Sequence, residues 1–147
     1  MAQTLVSGPF ASGDKQAGAV GGPNIGLVVL SQSVVINRDA TLVQSGTINI
    51  PFGSTISNII VDVLTAYDSA TSATLSVGTT AGATTYASSV NAKTLARTTP
   101  TFTAAQLTSM ANVGNTGPVV ATVTSVGQPT VGQVRVTVIY VQTTSQD

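Results

Sequence analysis

The chain lacks the residues on which most protein chemistry depends, because it contains no histidine, cysteine, tryptophan or glutamate. Histidine and glutamate are common general acids and bases, and histidine and cysteine bind most transition metals. A hydrolase would then need a Ser/Lys, Ser/Asp or paired-aspartate device, and the spacing of Asp62 and Asp68 suits no carboxylate pair. We therefore expect no enzyme activity, with no catalytic residues, no cofactor and no metal site.

Targeting and membrane signals are also missing from the sequence. The first residues have neither a basic region nor a sustained apolar region, so they do not resemble a secretory signal. The longest apolar segment, 25–36, is broken by Ser31, Gln32 and Ser33, and it is shorter than the ~20 residues of a membrane helix. The glycine-rich segment 18–26 lacks the Lys-Ser/Thr end of a phosphate-binding loop. We expect neither a membrane nor a nucleotide as a partner.

Charge is scarce as well. Five basic and five acidic side chains give a net charge of zero, and 7% of residues are charged where globular proteins have about 25%. Such a chain lacks the charge repulsion that keeps small domains apart. Copies of the same chain or a larger assembly are predicted to cover much of its surface, although many hydroxyl groups could instead keep a monomer soluble. The scattered, balanced cations argue against nucleic acid.

The first 24 residues differ in composition from the rest, being rich in glycine and proline and poor in large apolar side chains. We interpret 1–24 as an extended arm and 25–147 as a single β domain. A disordered tail is the alternative. An arm that orders on a neighbouring molecule needs apolar anchors, and the candidates are Leu5, Val6, Phe10, Val20 and Ile25.

Valine, isoleucine and threonine dominate the rest of the chain, in short runs separated by turn residues, which is typical of β-strands. Alternation is clearest near the C-terminus, where one face carries only apolar side chains and the strand is predicted to become buried on both faces near Ile139 and Val141. Asp62 lies among apolar neighbours and needs a charged partner or an edge position. The predicted strands are 25–36, 41–50, 55–67, 72–78, 84–90, 118–126 and 133–142.

Two connections are short enough for hairpins. The segment 68–72 is predicted to pair the third and fourth strands antiparallel, and 127–132 is predicted to pair the last two. One helix of about 104–112 should cover an end of the sheets, because Thr103 and Gln106 have the spacing of a capping box and Leu107 and Met110 follow on one side.

These elements predict an all-β fold, either an antiparallel β-sandwich or a jelly-roll-like barrel of seven to eight strands. A β-solenoid is the rival, but the sequence shows no repeat of 20 to 30 residues. Tyr67, Tyr86 and Tyr140 could either pack in the core or form a platform for sugars.

Three segments carry a resemblance to a known group of proteins: 69–107 (SATSATLSVGTTAGATTYASSVNAKTLARTTPTFTAAQL), 119–124 (VVATVT) and 132–142 (GQVRVTVIYVQ). They resemble small virion structural proteins of tailed bacteriophages, most of all head decoration, or cement, proteins. The resemblance implies a protein made in the host cytoplasm that binds the major capsid protein lattice on the outer surface of the capsid, often as a homotrimer. A tail or head-fibre component and a carbohydrate-binding module are the alternatives.

Overall fold

The computed structural model describes residues 27–113 and 117–143, which form eight strands and one helix. All seven predicted strands are present, with ends that differ by a few residues, and one two-residue strand, β6, was not predicted. The elements are β1 (Leu27–Asn37), β2 (Val43–Ile48), β3 (Thr55–Thr65), β4 (Ser72–Gly78), β5 (Ala87–Asn91), β6 (Arg97–Thr98), α1 (Ala104–Met110), β7 (Val119–Val126) and β8 (Gln133–Thr143).

The strands form two antiparallel sheets of four. Sheet A has the order β1-β8-β3-β6 and sheet B the order β2-β7-β4-β5. Four of the pairs are nested, with β1 on β8, β2 on β7, β3 on β6 and β4 on β5. The chain therefore folds as one long hairpin with β4 and β5 at its closed end. The hairpin is folded over so that successive strand pairs lie alternately in sheet A and sheet B. This arrangement is a jelly roll, and it confirms the predicted fold class.

Both predicted hairpins are wrong. β3 lies in sheet A and β4 in sheet B, and β7 and β8 are likewise in different sheets. The segment 127–132 crosses between the sheets, with the buried carbonyl of Pro129 accepting a hydrogen bond from Arg38 Nε at 2.8 Å. Gly132 lies so close to the ring of Tyr67 that a Cβ there would be 2.5 Å from it. A short loop that contains proline and glycine can either form a hairpin within one sheet or cross between two sheets. Here it crosses, because β7 pairs with β2 and β4, and β8 pairs with β1 and β3.

The core fills the space between the sheets. Alternation directs Ile59, Val61 and Val63 of β3 inward, and the corresponding residues of the other central strands are equally buried. Ile139 and Val141 on the other face of β8 are only half-buried, so the prediction that β8 becomes buried on both faces near these residues is wrong. The central inward residues of β8 and β7 are Val134, Val136, Val138, Tyr140, Val119, Ala121 and Val123.

Helix α1 begins where the capping box predicts. The amide of Gln106 donates to Thr103 Oγ1 at 3.3 Å, and the amide of Thr103 donates to Gln106 Oε1 at 2.9 Å. Met110 is buried, but Leu107 is 53% exposed, so only one of the two expected apolar contacts is made. The helix also ends two residues earlier than predicted.

The sandwich has two distinct ends. At one end, called here the terminal end, β1 begins and β8 finishes, because Leu27 lies opposite Thr143. The connections 49–54 and 79–86 and helix α1 also lie there, since Thr55 Oγ1 donates to the carbonyl of Ala111. At the opposite end are the connections 38–42, 66–71, 92–96 and 127–132.

Candidate partner-binding surface

Charge is distributed unevenly over the sandwich. Every charged side chain in the part of the chain that the structure describes lies in the half away from the terminal end. This follows from the register, because Asp62 pairs with Arg135 near the end of β8 where Asn37 meets Gln133. The seven residues are Arg38, Asp39, Asp62, Asp68, Lys93, Arg97 and Arg135.

Asp62 has the charged partners that its apolar sequence neighbours required. It lies in the middle of a row across three strands of sheet A, opposite Arg97 on β6 and Arg135 on β8. Its Oδ1 accepts from Arg97 Nε at 2.5 Å, and its Oδ2 accepts from Arg135 Nη2 at 2.8 Å. The hydrogen bonds from the two arginines lower the pKa of Asp62 to about 2, and the bond from Arg97 has the larger effect. The group joins three strands and leaves no carboxylate oxygen without a partner.

The charged side chains of the opposite end hold loops together. Asp68 accepts hydrogen bonds from the amide of Thr130 at 2.6 Å and from its hydroxyl, and the hydroxyl bond is the main reason why the pKa of Asp68 is lowered. Lys93 Nζ donates to the carbonyl of Ser69 at 2.6 Å. Asp39 accepts from the amide and hydroxyl of a neighbouring threonine. These charges therefore serve the fold, and they form no group arranged for acid or base catalysis.

The terminal end has the contrasting character, since large apolar side chains are exposed there without any charged neighbour among the described residues. Phe52 is 71% exposed in a turn between β2 and β3, and Leu107 projects from α1. Val28, Val29 and Leu30 are exposed at the start of β1. The cores of protein interfaces are depleted in charge and rich in apolar and aromatic residues. The terminal end is therefore the candidate partner-binding surface.

Exposed apolar residues also occur at the opposite end, where their surroundings differ. Val131 is 48% exposed, but it follows Thr130 and its own amide donates to Asp68. Leu64 and Leu95 lie close in sequence to the ion pairs of sheet A. Apolar side chains scattered among charges are common on ordinary protein surfaces. The combination of exposure and missing charge is found at the terminal end.

Leu5, Val6, Phe10, Val20 and Ile25 lie outside the described residues, so their role as anchors stays a prediction. Sequence reasoning missed Phe52 and Leu107, although the turn sequence Pro51-Phe52-Gly53 places an aromatic residue where turns carry polar ones.

The tyrosine platform for sugars is absent. Tyr67, Tyr86 and Tyr140 are 1–3% exposed and pack in the core, so none of them offers a ring face to a ligand. Burial raises the pKa of Tyr67 to about 12. An open groove beside β5 is lined mainly by Ser and Thr side chains and by Pro100, with no charged side chain in its lining.

Residues 27–113 and 117–143 contain neither a metal site nor a membrane-spanning helix. No group of three acidic residues lies close enough there to hold a metal ion. None of that part of the chain forms a helix with the length and hydrophobicity to span a bilayer.

No protein-family model and no curated protein matches the sequence. A chain in a solved structure described as the cyanophage Pam1 capsid asymmetric unit is similar in three dimensions, with a TM-score of 0.54. The alignment covers 90% of this chain and 96% of that chain, at 22% sequence identity. The two chains share a fold.

Proposed function

We propose that the protein is a non-enzymatic structural component of a bacteriophage virion. In this proposal it is a decoration or cement protein that binds the major capsid protein lattice on the outer surface of the head, as a homotrimer. The terminal end carries the proposal, because its described residues expose apolar side chains and no charge, and covering such a surface with a partner lowers the free energy. The fold shared with a chain of a cyanophage capsid asymmetric unit supports the choice of partner.

The physical work of such a protein is binding. A molecule that binds only the expanded shell lowers the free energy of that shell and opposes its rupture by mass action. Residues 1–24 directly precede the β domain whose first strand begins at the terminal end, so an arm would add contacts on the same side. Several weak contacts on one body gain avidity. The proposed anchors are Leu5, Val6, Phe10, Val20 and Ile25.

The orientation can be tested with heads purified from a phage strain that lacks this protein. The full-length protein is mixed with these heads, and the bound fraction is measured by sedimentation. Phe52→Ser should weaken binding about tenfold, because an exposed aromatic anchor at an interface contributes about 1.4 kcal/mol or more. Val131→Ser, at the opposite end, is the matched control and should bind as the wild type does.

Three results would contradict the proposal. Equal binding by the Phe52 and Val131 variants would remove the role of the terminal end. Undiminished binding after deletion of residues 2–24 would remove the role of the arm. Density for the protein on the tail, with none on the head, would make it a tail component instead.

A further inference from the structure

Strand β1 has an open edge. All eleven of its residues pair with β8 on one side, and no strand in the described part of the chain pairs with its other side. Residues 28–33 are exposed in succession, so the described part of the chain covers neither face of this stretch nor its edge. An exposed, apolar edge strand is a template for pairing with another chain.

Natural proteins usually protect such an edge with charges, proline, bulges or short strands. The other side of this sandwich follows that rule, because β6 has only two residues, one of them Arg97, and β5 pairs with a register shift. β1 has no charged residue and no proline, and its pairing with β8 shows no register shift. The fourth edge strand, β2, also lacks charge, proline and a register shift, but it has only six residues. β1 is therefore the longest edge without protection, as expected for a strand that pairs with another molecule.

The sequence of β1, LVVLSQSVVIN, is close to a palindrome centred on Gln32. Two copies that run antiparallel about this centre would place polar side chains opposite polar ones, and apolar side chains opposite apolar ones, from residue 28 to residue 36 on both faces of the sheet. Polar Ser31 would face Ser33 of the second copy, and apolar side chains would face apolar ones on either side. The further pairs would be Leu30 with Val34, Val29 with Val35, and Val28 with Ile36.

We propose that β1 pairs antiparallel with β1 of a second copy of this chain, about a twofold axis at Gln32. The two A sheets then form one continuous sheet of eight strands. This is β-strand addition with an identical partner, and the twofold axis makes the interface self-complementary. The pairing does not depend on the capsid proposal. Within the proposed trimers, it joins subunits of neighbouring trimers.

The register is well specified by the pattern. A shift of the centre to Ser31 places Gln32 opposite Leu30 and Ser33 opposite Val29, and a shift to Ser33 gives similar mismatches. A slip of one strand past the other by a single residue would place inward-facing side chains opposite outward-facing ones. Only the register centred on Gln32 matches every polar residue from 28 to 36 with a polar one. This match favours a second copy over an unrelated strand as the occupant of the edge.

The absence of cysteine allows a clean test by cross-linking. In the proposed register Val29 lies opposite Val35 of the other copy, whereas two copies of Val29 lie about 20 Å apart, at 3.4 Å per residue. Val29→Cys and Val35→Cys are prepared separately, with tags of different size. Under mild oxidation, the mixture should form disulfide-linked heterodimers at least tenfold faster than either variant alone, because opposite Cβ atoms lie within disulfide range.

Two further arms complete the test. Adding Ser31→Lys to both cysteine variants should abolish the cross-link, because it places a charge in the uncharged interface, whereas Thr74→Lys on sheet B should leave the rate unchanged. Self-linking of either single variant as fast as the mixture would overturn the register. Absence of a cross-link from the mixture would overturn the pairing and assign the edge to another occupant, such as residues 1–26. Neither result bears on the Phe52 test, because Phe52 lies outside β1.

Discussion

At the scale of single residues, the ion pairs of Asp62 with Arg97 and Arg135 show that electrostatic stabilisation of this protein depends on a few charged side chains. An unfolded aspartate titrates near pH 3.9, and the pKa of folded Asp62 is about 2. A lowered folded pKa stabilises the protein above the unfolded pKa, and this contribution is lost as the pH falls through the folded value. The relevant window is therefore about pH 4 to pH 2.

We expect Asp62→Asn to lower the free energy of unfolding by roughly 1–2 kcal/mol at pH 7, less than the full linkage value because the arginines are 69% and 40% exposed. The difference from the wild type should shrink as the pH falls from 4 towards 2. Urea unfolding at several pH values measures it, and with five aspartates and no glutamate or histidine few other side chains titrate in that range. A difference that stays constant with pH would contradict the account.

At the scale of elements, helix α1 depends on its first turn. It has seven residues, too few for a stable isolated helix, so its cap and its contacts must hold it. Gln106 contributes to the cap, because its backbone amide and Oε1 complete the capping box. It also contributes a contact outside the helix, because its Nε2 donates to the carbonyl of Thr84 at 3.1 Å. The cap thus couples α1 to the connection between β4 and β5.

Thr103→Ala should lower the free energy of unfolding by about 1 kcal/mol, since the cap hydroxyl is lost while Gln106 stays buried. Thr108→Ala is the matched control, because that hydroxyl is exposed and bonds only within the helix, to the carbonyl of Ala104. We expect the control to be neutral or slightly stabilising, as alanine favours the helix. Thermal or urea unfolding compares the two, and equal effects would show that the capping box contributes nothing specific.

Strand positions and strand partners were not equally predictable. Alternation around Val61 and Val136 located β3 and β8 within a few residues, because a strand buried on one face must alternate. The two residues of β6 give no such signal, and the strand is recognised only from its backbone pairing with β3, in which Arg97 lies opposite Asp62 and Thr98 opposite Val61. The hairpin predictions failed because loop length does not record whether the chain stays in its sheet or crosses to the facing one.

At the scale of the whole molecule, the sandwich separates an apolar end from a charged end. If the terminal end docks on the capsid, attachment depends on apolar contact and should respond weakly to salt. At 1 M NaCl the Debye length is about 3 Å, so exposed charge interactions are largely screened. We expect binding of the full-length protein to purified heads to stay within about threefold of its value at 0.15 M.

A steep loss of binding with salt would instead indicate that the end bearing Arg38 and Lys93 contacts the lattice. The Val131→Ser variant would then be the one that binds less. Both measurements use the same heads and the same sedimentation assay, so the two possible orientations can be told apart directly.

The sequence by itself determined the β class, the strand positions, the helix cap and the near absence of chemically reactive groups, because each is a property of composition or of local spacing. It also contained the palindrome of β1, which has no meaning until that strand is known to lie at an edge. The tertiary structure alone decided the jelly-roll topology, the partners of Asp62 and the separation of charge between the two ends. These features depend on residues distant in the chain, which only the pairing of strands brings together, as the pairing of β3 with β6 and with β8 does for the partners of Asp62.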